Sequence, residues 1–147
     1  MAMRTLNQIL QRRSPVLCVL EHTQTVAEAA RELASRQLGA LLVVDREDRV
    51  IGVFSERDLL RRVVAEGRAP EHTALIEVMT PNPVTASPGE DRESALLKMQ
   101  RAGCRHLPVV VDDMVIDMLS MRDLIFVELE ERATEVDQLK AYIAGSY

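Results

Sequence analysis

The sequence predicts an α/β fold made of two tandem β-α-β-β-α repeats. Two observations carry this. The chain repeats itself at an offset of 65 residues, and within each copy short apolar runs and helical patterns follow one another in the same order. Residues 48–59 fall on residues 113–124, with Asp, Val, Ile, Ser, Arg, Asp and Leu identical at seven of twelve positions. The same register sets Leu42 on Leu107, Val44 on Val109, Glu28 on Glu93 and Ala30 on Ala95. Two such copies are expected to bury their apolar faces against each other. At 147 residues the chain has the length of one domain, enough to bury roughly 68–70% of its unfolded surface.

In the first copy, residues 16–20 are a short strand. Thr25-x-x-Glu28 is a capping box, and Val26, Ala29, Ala30 and Leu33 follow at helical spacing. Gly39 is expected to end that helix. Residues 41–44 are wholly apolar, as a buried strand requires; Asp45-Arg46-Glu47-Asp48 is a polar turn, 50–54 a second strand, and Ser55 opens a helix to about Glu66. The second copy repeats the order. A strand at 84–86 leads through Pro88 and Gly89 to a helix carrying Ala95, Leu96 and Met99 and closed by Gly103. Strands at 107–111 and 115–119 follow, and Ser120 starts the last helix. Residues 5–66 are thus repeat 1, 67–83 an inter-repeat linker with three prolines and a glycine, 84–130 repeat 2 and 131–147 a helical tail. The tail spaces Leu129, Val136 and Ile143 seven apart, with Leu139 between them. That stripe suits packing on its own domain or on a partner helix in a dimer.

Composition narrows the function. A net charge of −5 counts against non-specific nucleic-acid binding. Aromatics at 3%, with no Trp, count against a stacking platform. No run approaches the roughly 18 apolar residues of a membrane span, and no signal-peptide pattern is visible. The expectation is a cytoplasmic protein with no nucleic-acid or membrane partner. Cys18 and Cys104 lack a CxxC partner and read as small buried hydrophobes. His22, His72 and His106 are scattered, so no metal is expected. Cys104 beside His106 has no orienting third group, and neither Gly-x-Gly-x-x-Gly nor a P-loop is present, so no enzyme is expected.

The repeated Ser-x-Arg-Asp, at Ser55, Arg57, Asp58 and again at Ser120, Arg122, Asp123, is where the chemistry lies. In its plain structural reading it is a capping box. In its functional reading the helix N-terminus favours phosphate, the carboxylate accepts from the vicinal hydroxyls of a ribose, and the arginine donates to phosphate.

Gly52-Val53-Phe54-Ser55-Glu56-Arg57-Asp58 resembles the Gly-x-hydrophobic-Ser/Thr-x-x-Asp signature of CBS domains, the family named after cystathionine β-synthase. His106-Leu107-Pro108-Val109-Val110 resembles their His-Leu-Pro-Val-Val strand, and Val78-Met79-Thr80-Pro81 resembles the segment that opens the second copy of many pairs. The resemblance covers residues 5–130. The tail from Leu139 to Gly145 is similar to that of stand-alone bacterial pairs. It implies a Bateman module: two CBS repeats in pseudo-twofold contact, an extended C-terminal helix, and two clefts that bind AMP, ADP, ATP, NAD or S-adenosylmethionine. Carried over, Asp58 and Asp123 each hold a ribose. Ser55, Ser120, Arg57 and Arg122 lie near ribose and phosphate. Backbone around Leu17, Ala40 and Leu41, and around Thr85, His106 and Leu107, faces adenine, and Arg105 and His106 lean towards phosphate. The implied role is a non-catalytic sensor, a homodimer regulating an unknown protein; the other reading is a dimerisation or interaction module with one or both clefts empty.

Two positions depart from the family pattern. The first copy has Leu41-Leu42-Val43 where a Pro is frequent, and Asp117 stands where the first copy has Gly52. A carboxylate facing into the second cleft would repel phosphate, so the Asp123 cleft is expected to be weaker or empty.

Overall fold

The computed structural model describes residues 5–145. The first four and last two residues, including the end of the tail, lie outside the described residues. In chain order the elements are α1 (Leu6–Leu10), β1 (Val19–Glu21), α2 (Val26–Arg36), β2 (Ala40–Val44), β3 (Val50–Ser55), α3 (Glu56–Asp58) widening into a π-helical stretch (Leu59–Val64), a 3-10 turn (Pro70–His72), α4 (Leu75–Val78), β4 (Thr80–Pro81), α5 (Arg92–Ala102), β5 (His106–Val111), β6 (Met114–Ser120) and α6 (Met121–Ile143).

The strands form two sheets. One has the order β1-β2-β3-β4, with β1 parallel to β2 and the other pairs antiparallel. The other is the antiparallel pair β5-β6, closed by a tight turn in which Asp112 and Asp113 both take positive φ (49° and 64°). The strand expected at 84–86 is reduced to one parallel bridge, Ala86 with Val109. Ala86 N–H donates to the Pro108 carbonyl, and Val110 N–H donates to Ala86. The next bond back along that ladder would come from residue 108, whose proline nitrogen carries no hydrogen, so pairing stops there.

Caps behave largely as the local sequence dictates. Thr25 Oγ1 accepts from Glu28 N–H (3.2 Å), although the Glu28 carboxylate accepts from Gln24 Nε2 rather than closing the box. The helix does not end at Gly39. Gln37 takes the left-handed cap (φ 55°). Gly39 instead leaves room for His106, since a Cβ there would lie 3.2 Å from His106 Nε2. Gly103 does cap α5, at φ 67°.

Each repeat has its own core, and each core recruits a segment from outside the copy that defines it. Leu41, Val43, Phe54 and Val63 pack with Leu75, Val78 and Met79, so the segment read as a linker also fills the first core. Leu107, Val109, Leu119 and Leu124 pack with Leu6 and Ile9 of α1, which heads the first repeat in sequence but sits in the core of the second. A third cluster joins the units: Ala40, Leu42 and Val53 meet Met118, with Leu17 and Val115 at its edge. This contact sets the two sheets against each other and positions the cleft described below.

Cys18 is buried and Cys104 partly so; both thiols are unpaired, and burial raises the pKa of each. Among the described residues no helix is long and apolar enough to cross a membrane, and no three His, Cys, Asp or Glu side chains cluster as a metal site.

Candidate functional site

Ser55 ends β3 in extended conformation (φ −116°, ψ 166°) and caps α3. Its Oγ accepts from Asp58 N–H (3.2 Å), while Asp58 Oδ2 accepts from Ser55 N–H (3.0 Å) and Ser55 Oγ (3.1 Å). The capping box is therefore real in the first repeat. It is equally real in the second, where Ser120 Oγ accepts from Asp123 N–H (3.1 Å) and Asp123 Oδ2 from Ser120 N–H (2.9 Å).

The surroundings of the two boxes differ. Around the first lies a cavity of about 490 Å³ between the repeats. Ser55, Arg57, Asp58, Arg61 and Arg62 form one wall. Thr80, Asn82, Pro83 and Val84 close one side, and Ala102, Gly103, Cys104, Arg105 and His106 come from the second repeat. Five sequence-predicted site residues are thus brought together: Ser55, Arg57, Asp58, Arg105 and His106. Thr80 Oγ1 donates to Asp58 Oδ1 (3.1 Å), and Arg62 Nε stands 3.6 Å from the same oxygen. Arg62 is also held by the Met79 carbonyl (2.6 Å). The side chains of Arg57, Arg61 and Arg105 make no hydrogen bond or ion pair with any described residue, so their donors remain available to an anion.

His106 bridges the units. Burial pushes its pKa down, Asp123 and Glu56 oppose this with their charge, and Arg105 adds to it. In its neutral form the imidazole at the cavity wall can donate through one nitrogen and accept through the other.

The remaining predicted residues do not line this cavity. Leu17 and Ala40 belong to the inter-repeat cluster. Leu41 and Leu107 are fully buried in their own cores, so only their backbone can meet a ligand. Thr85 is exposed, its carbonyl accepting from Lys98 Nζ (2.9 Å). Ser120, Arg122 and Asp123 sit at the start of α6, away from the cavity lining.

Sequence reasoning passed over Arg61, Arg62 and Arg13. A signal for Arg62 was present, since it lies four residues beyond Asp58 on the same helical turn.

The repulsion expected of Asp117 does not follow, because its carboxylate is buried and bonded. It is 3% exposed, and its Oδ1 accepts from Met118 N–H (2.7 Å), Val16 N–H (3.1 Å) and Arg13 Nη2 (3.3 Å). Gly52, its counterpart, is needed as glycine: a Cβ there would fall 2.4 Å from Met79 Sδ and 3.0 Å from the Thr80 carbonyl, where β4 crosses.

The CBS domain family model matches the chain twice, over residues 8–65 and 75–130. The chain belongs to the CBS domain family. The CBS domain-containing protein CBSCBSPB2 of Arabidopsis thaliana is 36% identical over 126 residues, 84% of this chain and 23% of that protein. The mitochondrial CBS domain-containing protein CBSX3 of the same plant is 32% identical over 127 residues, 84% of this chain and 62% of that protein. This CBS pair therefore spans less than two thirds of the length of either. Among solved structures, a CBS domain protein from Pyrobaculum aerophilum complexed with AMP matches with a TM-score of 0.76 and 31% identity, covering 88% of this chain and 98% of the other. The architecture is that of a CBS domain pair with a long C-terminal helix.

Proposed function

We propose that this CBS pair is a non-catalytic sensor that binds an adenosyl nucleotide in the Asp58 cleft and passes its occupancy to a regulated partner protein. The observation that carries the reading is the cavity itself. A helix N-terminus with its carboxylate lies on one side, and Arg57, Arg61 and Arg105, none of them engaged by a described residue, converge from two repeats. A ribose suits the carboxylate, phosphate suits the arginines and the helix end, and the apolar Val53, Pro83 and Val84 suit a purine face. The AMP bound to the Pyrobaculum relative supports the same ligand class. No nucleophile–base–orienter arrangement occurs among these residues, which favours binding over catalysis. Two unpaired cysteines accord with a reducing compartment such as the cytoplasm.

The module acts as a homodimer. Leu60 and Val64 (each 61% exposed) lie on the π-helical stretch, and Phe126 (62%) and Leu129 (61%) lie on α6. These apolar side chains have no cover among the described residues, and large exposed apolar side chains of this kind favour an interface.

The test is a thermal-shift screen of ligand-free protein with AMP, ADP, ATP, NAD and S-adenosylmethionine, using guanosine nucleotides as controls. A native-state ligand at a hundredfold excess over its Kd adds about 2.7 kcal/mol. No response to any adenosyl compound would refute the reading. Mass spectrometry of ligand released from the purified, denatured protein identifies which one is carried.

A further inference from the structure

The surroundings of Asp58 and Asp123 differ by more than the exchange of Gly52 for Asp117. Arg61 and Arg62 of the first repeat correspond, 65 residues on, to Phe126 and Val127. Arg105 and His106 correspond, 65 residues back, to Ala40 and Leu41. Of the cations that face the Asp58 cleft, Arg57 keeps a cationic counterpart in Arg122, whereas Arg61, Arg62 and Arg105 have apolar ones. One cation does reach Asp123, and it comes from the chain itself. Arg13 Nη2 donates to the Met118 carbonyl (2.9 Å) and to Asp117 Oδ1 (3.3 Å), and it lies 3.6 Å from Asp123 Oδ2.

This seat is anchored on a buried carboxylate. Asp117 is buried, so its charge needs a partner. Its Oδ1 fastens both ends of the passing segment, the Arg13 guanidinium and the Val16 N–H. At the matching place in the first repeat, β4 crosses Gly52, and Asp58 Oδ1 meets the hydroxyl of exposed Thr80 and, at 3.6 Å, Arg62. The Thr80 hydroxyl rotates away at little cost and the Arg62 side chain is 46% exposed, whereas Arg13, 22% exposed, is anchored by the buried Asp117 carboxylate.

We propose that Arg13 is an internal occupant of the second cleft, so that each chain carries one nucleotide site, at Asp58, rather than two. The sequence departure at Asp117 acts by holding that arginine rather than by repelling phosphate. This rests on the nucleotide-binding reading above, and its test is arranged to separate the two.

Calorimetric titration with AMP reads the stoichiometry. Wild type takes one AMP per chain, and Asp58→Ala lowers its affinity, whereas Asp123→Ala leaves it unchanged. Arg13→Ala combined with Asp117→Gly takes two, the second lost on adding Asp123→Ala. If that double variant fails to fold by circular dichroism, Arg13→Gln with Asp117→Asn removes both charges while keeping the hydrogen-bonding shapes. Two sites in wild type, or one site in every folded variant, overturns the proposal. A second readout needs no nucleotide. The Val16 amide, bonded to Asp117, exchanges slowly in wild type and about tenfold or more faster in Asp117→Gly; equal rates overturn the seat of the segment. A chain that binds no AMP in any form, yet shows this exchange difference, refutes the nucleotide reading while leaving Arg13 in its place.

Discussion

Replacing Asp58 with alanine separates a cap from a ligand residue. Asp58 is 8% exposed, and its Oδ2 already accepts from the Ser55 amide and hydroxyl. Loss of a capping carboxylate costs about 0.5–2 kcal/mol. The hydrogen bond from Thr80 and the ion pair with Arg62, whose side chain is 46% exposed, add little beyond that. For a chain of this size each kcal/mol lowers Tm by roughly 2–4 °C, so a fall of about 1–8 °C is expected. The effect on binding is separate. Oδ1 accepts only from Thr80 among the described residues, so it is the oxygen with capacity for a ribose hydroxyl. A hydrogen bond to a charged group contributes about 1.5–3 kcal/mol, which corresponds to roughly a tenfold to hundredfold rise in Kd. Asp58→Asn provides the control, because its Oδ1 can still accept from the Ser55 amide; it should recover much of the Tm and little of the affinity. Differential scanning calorimetry and AMP titration on the three proteins read both quantities. An Asp58→Ala protein that melts lower but binds as wild type refutes the ribose role and leaves Asp58 a cap.

Three further outcomes follow from the geometry. Gly52→Ala forces Met79 and the Thr80 backbone to move. Overpacking of this kind costs about 1–3 kcal/mol; a Tm equal to wild type would show that β4 yields freely. His106 has its pKa lowered by burial, with Asp123 and Glu56 opposing and Arg105 reinforcing the shift. The folded state therefore binds fewer protons than the unfolded state just below pH ~6.5, and stability falls as pH drops through that range. The decrease in Tm between pH 7.5 and 5.5 should be smaller in His106→Gln, and an identical decrease contradicts the assignment. Truncation after Glu131 removes exposed Val136, Leu139 and Ile143 while keeping the Glu131 pairing with Arg92. Sedimentation should show a weaker dimer than the full chain, and a full chain that is monomeric at micromolar concentration contradicts the dimer.

Much of the fold and part of the cavity lining were legible in the residues. The 65-residue register, the Ser55 and Ser120 caps, the buried strand at β2 and the αL glycine at 103 are all local signals, because a cap or a turn is decided within four or five residues. Pro108 shows the limit of that logic. Its missing N–H is plain in the sequence, but that it would cut the ladder at Ala86 depends on which carbonyl lies opposite. Gly39 shows it too: it reads as a helix stop, yet its use is to admit His106 from the other repeat. Only the tertiary structure decided that α1 joins the second core, that Arg61 and Arg62 face the same cavity as Arg105, and that Asp117 holds Arg13. Arg13 and Asp117 are 104 residues apart, and no periodicity or spacing links them. Such a pair exists only once the packed repeats have brought residues 13–16 alongside β6, where Arg13 meets a buried carboxylate that needs a cation.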